Sequence, residues 1–350
     1  MKVDVLIDTY NHERFIERAI TSVLEQDMPM DGVDILVVDD GSTDRTRDLV
    51  RRFEPRVRLL QKSNGGQASA FNLGVSHCRG EIVAFLDGDD WWARKKLRRV
   101  LETLKEYPEV GIVGHGMYEA YDDGRPDGLI LPGGPCRLDL SSAVNAEMFR
   151  HLAAFFGTSR MTVRKSVLDR IFPIPDDFKI EADEYVFTLA PAIQSAMILN
   201  EPLCYYGIHS GNLYQFGKFD PEKMRRKLTV LHALMRELPA KLWQLGVPDE
   251  IVRILFRGTE VDEGRMRLSL DGGSPLEAFS VERAAFKASY RGVTWRYQLF
   301  RFFVLMQTLL LPPRVFYRLR RWYTERGLSR LRSWTGEPVR SVQIVERRPG

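Results

Sequence analysis

Three short apolar runs near the start of the chain each end on aspartate: Val5-Leu6-Ile7 on Asp8, Ile35-Leu36-Val37-Val38 on Asp39-Asp40, and Ile82-Val83-Ala84-Phe85-Leu86 on Asp87-Gly88-Asp89-Asp90. Runs this short, each followed by a helical pattern, are the mark of parallel strands buried on both faces. Sheets of this kind bind ligands beyond the carboxyl ends of their strands, so the three acidic ends are predicted to meet in one crevice. Carboxylates crowded together and stripped of water need an oxygen-seeking divalent cation, or hydroxyl and amide donors from a ligand, to compensate them. The pattern points to a metal-assisted site for a phosphorylated ligand.

Strands over residues 3–8, 33–39, 57–62 and 81–87 are predicted to alternate with helices over 13–26, 44–53, 67–78 and 94–107, which requires right-handed crossovers and a parallel sheet. Ser42-Thr43-Asp44 supplies helix-capping side chains, and Asn64-Gly65-Gly66 is a turn at a helix start where a phosphate could sit. From 111 to 163 short strands mix with Gly/Pro-rich loops and one helix over 141–156, expected to shape an acceptor cleft. A helix over 180–192, a strand over 196–208 and the polar turn His209-Ser210-Gly211-Asn212 follow. Helices over 224–238 and 249–270 precede a break at Asp271-Gly272-Gly273-Ser274-Pro275.

The chain has 350 residues, 44% of them hydrophobic, enough for one large core and a second unit. Lys plus Arg exceed Asp plus Glu only by 51 to 47, which gives no ground for nucleic-acid binding. Cys78, Cys136 and Cys204 lack metal-ligand or redox spacing, as expected of a reducing, cytoplasmic setting. The start runs directly into a strand with no signal-peptide apolar region, and the apolar stretch 302–311 falls far short of the roughly 20 residues that span a bilayer. Neither GxSxG, HExxH nor a Walker-type loop is present, which argues against hydrolase, zinc-peptidase and P-loop chemistry.

The segments Asp8-Thr9-Tyr10-Asn11, Asp39-Asp40-Gly41-Ser42-Thr43-Asp44, Asn64-Gly65-Gly66, Gly80-Glu81 and Leu86-Asp87-Gly88-Asp89-Asp90 stand in an order that resembles family-2 glycosyltransferases of the GT-A fold. The resemblance implies a mostly parallel central sheet flanked by helices, with a helical C-terminal extension. It also implies an inverting enzyme that moves a sugar from a nucleotide-diphosphate donor to a hydroxyl of a glycan or lipid-linked acceptor. Donor contacts are expected from Thr9, Tyr10, Asn11, Asp39, Asp40, Gly66, Gln67, Asn72, Asp87 and Gly88. Tyr10 would lie against the base, with Asp39 or Asp40 accepting a hydrogen bond from it; Asp44 is the better helix cap, which leaves Asp39 freer for a ligand. Asp87 would face the ribose, and Asp89 would bind Mg2+ or Mn2+ on the diphosphate, with His209 as a further metal contact.

Glu181-Ala182-Asp183-Glu184 lies where the resemblance places the catalytic base, usually within a Glu-Asp pair. Asp183 takes the aligned place and Glu181 is its rival. The sequence departs from the family at Gly207, where an arginine often stands two residues before the histidine, and at Phe71, where many members carry arginine before Asn72. His12, His77, His115, His151 and His232 show no ligand spacing, and Trp91-Trp92 read as core and rim.

Past Pro312-Pro313, a helical reading puts Val315, Phe316, Leu319, Trp322 and Tyr323 on one face and Arg314, Arg318 and Arg321 on the other. Such a helix suits the protein surface or an anionic membrane interface, which would make the protein peripheral to the inner face of the cytoplasmic membrane. The expected organisation is a transferase domain over 1–215 (donor half 1–110, acceptor half 111–215), a helical extension over 216–290 and a basic amphipathic segment over 291–350. A sugar-nucleotide pyrophosphorylase and a catalytically inactive glycan-binding protein stay open beside the transferase.

Overall fold

The computed structural model describes residues 1–121, 123–209, 220–288 and 295–325. They form two compact units, the first from the described residues of 1–212 and 237–252, the second from those of 213–236 and 253–341.

In the first unit β1 (Val3–Thr9), α1 (Ile16–Leu24), β2 (Val33–Asp39), α2 (Thr46–Arg51), β3 (Val57–Gln61), α3 (Gln67–His77) and β4 (Ile82–Asp87) alternate as anticipated. There follow β5 (Trp91–Trp92), α4 (Lys96–Glu106), β6 (Val110–Tyr121), β7 (Pro126–Ile130), β8 (Cys136–Leu138), α5 (Ala143–Leu152), β9 (Thr162–Arg164), α6 (Lys165–Ile171), α7 (Ala182–Leu189) and β10 (Ser195–Ile208). One sheet runs β3-β2-β1-β4-β9-β6-β10-β5, with β7 on β6 and β8 on β10. Strands β1 to β4 pair in parallel, as does β6 with β10, whereas β5, β7, β8 and β9 all pair antiparallel. The sheet is thus parallel in its first half and mixed in its second, where short return strands fill the gaps.

Side chains alternate across the sheet with the period of two that strands impose. Val3, Val5 and Ile7 of β1 join Ile16, Ile20 and Val23 of α1 and Leu97, Val100 and Leu104 of α4 in one buried cluster. On α3 and β4, Phe71 packs against Phe85 with ring centroids 5.0 Å apart. The position where many family members carry arginine is therefore fully buried core in this chain.

The helices after 220 are α8 (Pro221–Gln244), α9 (Asp249–Leu270), α10 (Pro275–Ala288), α11 (Trp295–Leu310) and α12 (Pro313–Glu325). Helix α8 continues through Pro239, beyond the expected end at 238. An internal proline costs about 3 kcal/mol, and the burial of Leu238 and Leu242 on either side offsets it. In the second unit Leu268, Ala278, Phe316 and Tyr317 form a small core. The apolar face expected on the last helix is therefore divided: Phe316 is buried, Val315 and Leu319 are exposed, and the side chains of Trp322 and Tyr323 lie outside the described residues. Arg314 and Arg321, expected to face away, donate to Asp271 O and Ser269 Oγ at 2.9 Å each.

Candidate functional site

Parallel register places Asp8 directly beside Asp87 at the carboxyl ends of β1 and β4. The Gly88 N–H donates to Asp8 O at 2.9 Å, so the loop after β4 folds back over β1. A side chain at 88 would meet Thr9 Oγ1 and His12 Nδ1 at 2.7 Å. Asp8 and Asp87 are hydrogen-bonded through their carboxyls, and Asp8 is pushed up to about 8 by burial and by the negative Asp89. Burial and the adjacent Asp8 raise Asp87 well above the carboxylate range. Asp90 rises to about 7 through burial and the Asp89 charge. Protonation would compensate such crowded carboxyls in the free protein, and a ligand or cation could displace the protons.

Asp89 behaves oppositely. Burial would raise it, but the hydrogen bond to His209 and the nearby His12 outweigh that and lower it. His209 Nε2 lies 3.0 Å from Asp89 Oδ2, and His12 Nε2 lies 3.9 Å from the same oxygen. Phe15 stacks on His209 with centroids 4.5 Å apart. His12, set aside in the sequence for want of ligand spacing, therefore belongs to the site: it follows β1 in the first turn and meets a loop far away in sequence. Burial lowers His12, against the pull of Asp89.

One Asp8 oxygen, Oδ1, is buried without a hydrogen-bond partner. Asp89, with His209 3.0 Å and His12 3.9 Å from its Oδ2, offers oxygen and imidazole groups that could contribute to holding a divalent cation. Among the described residues no three such side chains close around an ion by themselves. A cation at this site would take its remaining ligands from diphosphate and water.

Several residues expected to contact the donor also make hydrogen bonds within the protein. Both Asp39 oxygens accept from the Ser42 N–H, at 3.1 and 3.3 Å, and Arg47 Nε is 3.3 Å from Asp39 Oδ2. Asp39 is fully buried and is not the freer carboxylate expected. Asp40 pairs with Lys62 and accepts the Gly65 and Gly66 N–H groups at 2.9 and 2.7 Å. The next two N–H groups, of Gln67 and Ala68, donate to Lys179 O and Phe178 O. The phosphate seat expected at this helix start is thus filled by the protein's own acceptors. Gly66, at φ +88, lies where a Cβ would be 2.6 Å from the Lys179 backbone. Asn11 accepts the Thr43 N–H at 2.8 Å, Thr9 is buried against His12, and Asn72 exchanges two 2.8 Å hydrogen bonds with the Ile174 backbone. Asn11, Thr9 and Asn72 are thus engaged by the protein's own groups. Tyr10, 44% exposed, remains open to a ligand.

Gln67 joins the two sides of the crevice. Its Nε2 lies 3.3 Å from Asp87 Oδ1 and 3.2 Å from Thr158 Oγ1, and its Oε1 accepts the Ala182 N–H at 2.9 Å. That last bond fixes the start of α7. Asp183 accepts the N–H groups of Thr158 and Glu184 at 3.0 and 2.9 Å, and burial together with Glu181 raises it above the ordinary carboxylate value. Glu181 precedes α7 in the left-handed conformation, φ 60, which is unusual outside glycine and costs energy that the surroundings must impose.

Ser159, unsuspected from sequence, accepts from three groups remote in sequence: its Oγ accepts the Asp87 N–H at 3.1 Å, and its carbonyl accepts from Lys96 Nζ at 2.7 Å and Trp92 Nε1 at 3.0 Å. Lys96 is fully buried over the Trp92 ring, and burial lowers it to about 7. Trp92 is core and Trp91 is rim, stacked on Tyr205 at 5.1 Å. The Gly207 N–H donates to Asp90 Oδ1 at 2.8 Å, and a Cβ at 207 would lie 2.5 Å from Asp89 O. No side chain fits there, which accounts for the missing arginine. The Ser210-Gly211-Asn212 part of the turn lies outside the described residues.

Residues 4–172 match the family described as Glycosyl transferase family 2. An uncharacterized glycosyltransferase of Nostoc sp. is 35% identical over 217 residues, covering 61% of this chain and 66% of that protein. The poly(ribitol-phosphate) beta-N-acetylglucosaminyltransferase TarS of Staphylococcus aureus is 32% identical over 111 residues, 31% of this chain and 19% of the relative. The chain thus spans just under two thirds of the first relative's length and about a fifth of the second's. Among solved structures, S. aureus TarS 1-349 in complex with UDP-GlcNAc superposes with a TM-score of 0.60 at 17% identity, over 92% of each chain. The mannosyltransferase PcManGT from Pyrobaculum calidifontis, in complex with GDP-Man and Mn2+, gives 0.52 at 21% identity, over 96% of this chain and 88% of that one. These two likenesses are of fold, and the fold is the GT-A fold of such enzymes. Through residues 4–172 the chain belongs to glycosyltransferase family 2.

Proposed function

We propose that the protein is an inverting, divalent-metal-dependent glycosyltransferase that moves a sugar from a nucleotide-diphosphate donor to a hydroxyl acceptor in cell-surface or lipid-linked glycan assembly. The observation that carries this reading is the convergence of Asp8, Asp87 and Asp89 at the ends of β1 and β4, with His209 on Asp89 and Asp183 held across the crevice. The names of relatives, among them TarS and a chondroitin synthase of Pasteurella multocida, support the substrate class.

In this reading Tyr10 offers its exposed ring to the base and Asp87 faces the ribose. Asp89 and His209, with His12 beside them, would hold Mg2+ or Mn2+. A bound cation would neutralise the charge that the diphosphate gains as it leaves. Asp183 removes the acceptor hydroxyl proton as that oxygen attacks the anomeric carbon. Its raised proton affinity suits a base, and the two N–H groups on its oxygens fix its direction. Gln67 keeps that base in register with Asp87. The protein would work at the inner face of the cytoplasmic membrane, where lipid-linked acceptors are presented.

The test is a panel of nucleotide sugars with Mn2+ or Mg2+, followed by release of nucleoside diphosphate with and without lipid-linked acceptors. Acceptor-stimulated, cation-dependent release from one donor is the expected result. Nucleotide binding without turnover on any acceptor favours the inactive glycan-binding alternative.

A further inference from the structure

Helix α11 presents a continuous apolar face to solvent. Trp295, Leu299, Phe302, Phe303, Met306 and Leu310 are 68%, 47%, 50%, 60%, 36% and 81% exposed. Their spacings of four, three, one, three and four put them on one side of the helix. Leu305 and Thr308, on the opposite side, are buried. Exposed aromatic and aliphatic side chains gathered on one face mark an interaction surface, whereas isolated ones do not.

Charge identifies the occupant. Residues 295–324 contain six arginines and no aspartate or glutamate. Arg320 pairs with the buried Glu282, which also binds Arg265 at 2.8 and 2.9 Å. Arg318 stays exposed on α12, beside exposed Val315 and Leu319. Two copies of this surface brought face to face would oppose arginine with arginine, which disfavours self-association. An anionic bilayer supplies both an apolar phase for the aromatic face and negative headgroups for Arg318.

Length settles the orientation. At roughly 1.5 Å per residue, α11 is about 24 Å long, short of the hydrocarbon core of about 30 Å. No helix among the described residues is long and apolar enough to cross a membrane. We propose that the apolar face of α11, with the exposed Arg318 of α12, lies in the plane of an anionic lipid bilayer at the acyl–headgroup boundary. The assignment moves the contact from the last helix, whose Phe316 and Tyr317 are buried in the protein, to the helix before it. It stands independently of the transferase reading.

The experiment is co-sedimentation of the full chain with vesicles of phosphatidylcholine alone, and with about one third phosphatidylglycerol added, at low and physiological salt. The wild type is expected to pellet with the anionic vesicles and far less with the neutral ones. Replacing Phe302 and Phe303 together by serine should lower the partition coefficient by about tenfold or more, with thermal unfolding and nucleoside-diphosphate affinity unchanged. Arg318→Glu should weaken binding several-fold to anionic vesicles only. Absence of binding to anionic vesicles, or wild-type binding by the double variant, overturns the proposal. So does a double variant that changes the oligomeric state of free protein while vesicle binding stays intact, which would make the face a protein interface. Nucleotide binding and donor turnover, read on the same samples, report on the transferase separately.

Discussion

Asp183 and Glu181 are two residues apart but differ in how they are held. Asp183 has one backbone N–H on each oxygen, whereas Glu181 sits in a left-handed turn before the helix. Asp183→Asn keeps the size but cannot take the acceptor proton, so transfer should fall by roughly 10²-fold or more. Donor affinity, measured by titration, should stay within a few-fold. Glu181→Gln run in parallel decides the rival assignment: a dead Glu181 variant beside an active Asp183 variant moves the base two residues upstream. At the other end of the crevice, Asp89→Asn removes the anion that faces His209 and should abolish the Mn2+ dependence of nucleotide binding, seen by calorimetry with and without the ion. Gly207→Ala tests the close approach of β10 to the Asp89 carbonyl. The added methyl displaces that loop, and Mn2+-dependent nucleotide affinity should drop by about tenfold, or about 1.4 kcal/mol, in a protein that remains folded.

At the scale of elements, strands ending on aspartate were readable because buried parallel strands are short and uniformly apolar, and β2 matches its expected span of 33–39. Strand β6 was harder. Gly111, Gly114 and Gly116 interrupt its apolar pattern, and its length is imposed by long pairing with β10. The internal hydrogen bonds of the expected donor contacts were not legible in the sequence, for one reason. Asp40 and Asn11 stand next to turns and Asn72 within α3, and whether such a polar group faces ligand or backbone depends on a partner remote in sequence, such as Ile174 for Asn72. Lys96 was invisible for the same reason: an exposed-looking lysine at a helix start is drawn inward by Ser159 O and the Trp92 ring. Its descent from 10.5 to about 7 has a measurable sign. Between those values the unfolded chain holds a proton that the folded protein has released, so this group makes stability rise with pH across that window. Lys96→Met removes the effect. The variant-minus-wild-type difference in Tm should therefore be most favourable near about pH 7 and decline toward about pH 10, as followed by calorimetry.

For the molecule as a whole, the crowded carboxyls set the opposite slope at lower pH. Asp8 and Asp90, raised from 3.8 to about 8 and about 7, keep protons that the unfolded chain has released. Their contribution to stability is fully present below the ordinary value of 3.8 and is lost as pH rises through their folded values. In the presence of a chelator, Tm should fall from about pH 5 to about pH 8, and Mn2+ should restore more of it at the upper end than at the lower, because a cation that binds only the folded state stabilises by mass action. A flat profile, or equal Mn2+ effects at both ends, contradicts the assignment.

Strand β9 has a further consequence for how the protein is made. It lies between β4 and β6 and is antiparallel to both, so the edge of β4 has no neighbour on that side until residues 162–164 have left the ribosome. At roughly 5–20 residues per second the nascent chain carries that open edge for several seconds, and an unpaired, apolar strand edge invites pairing with other chains. A fragment ending near residue 110 would keep the edge permanently. Residues 1–110 are therefore not a separable module, and their biosynthesis depends on β9 arriving before a chaperone or an aggregate claims the gap.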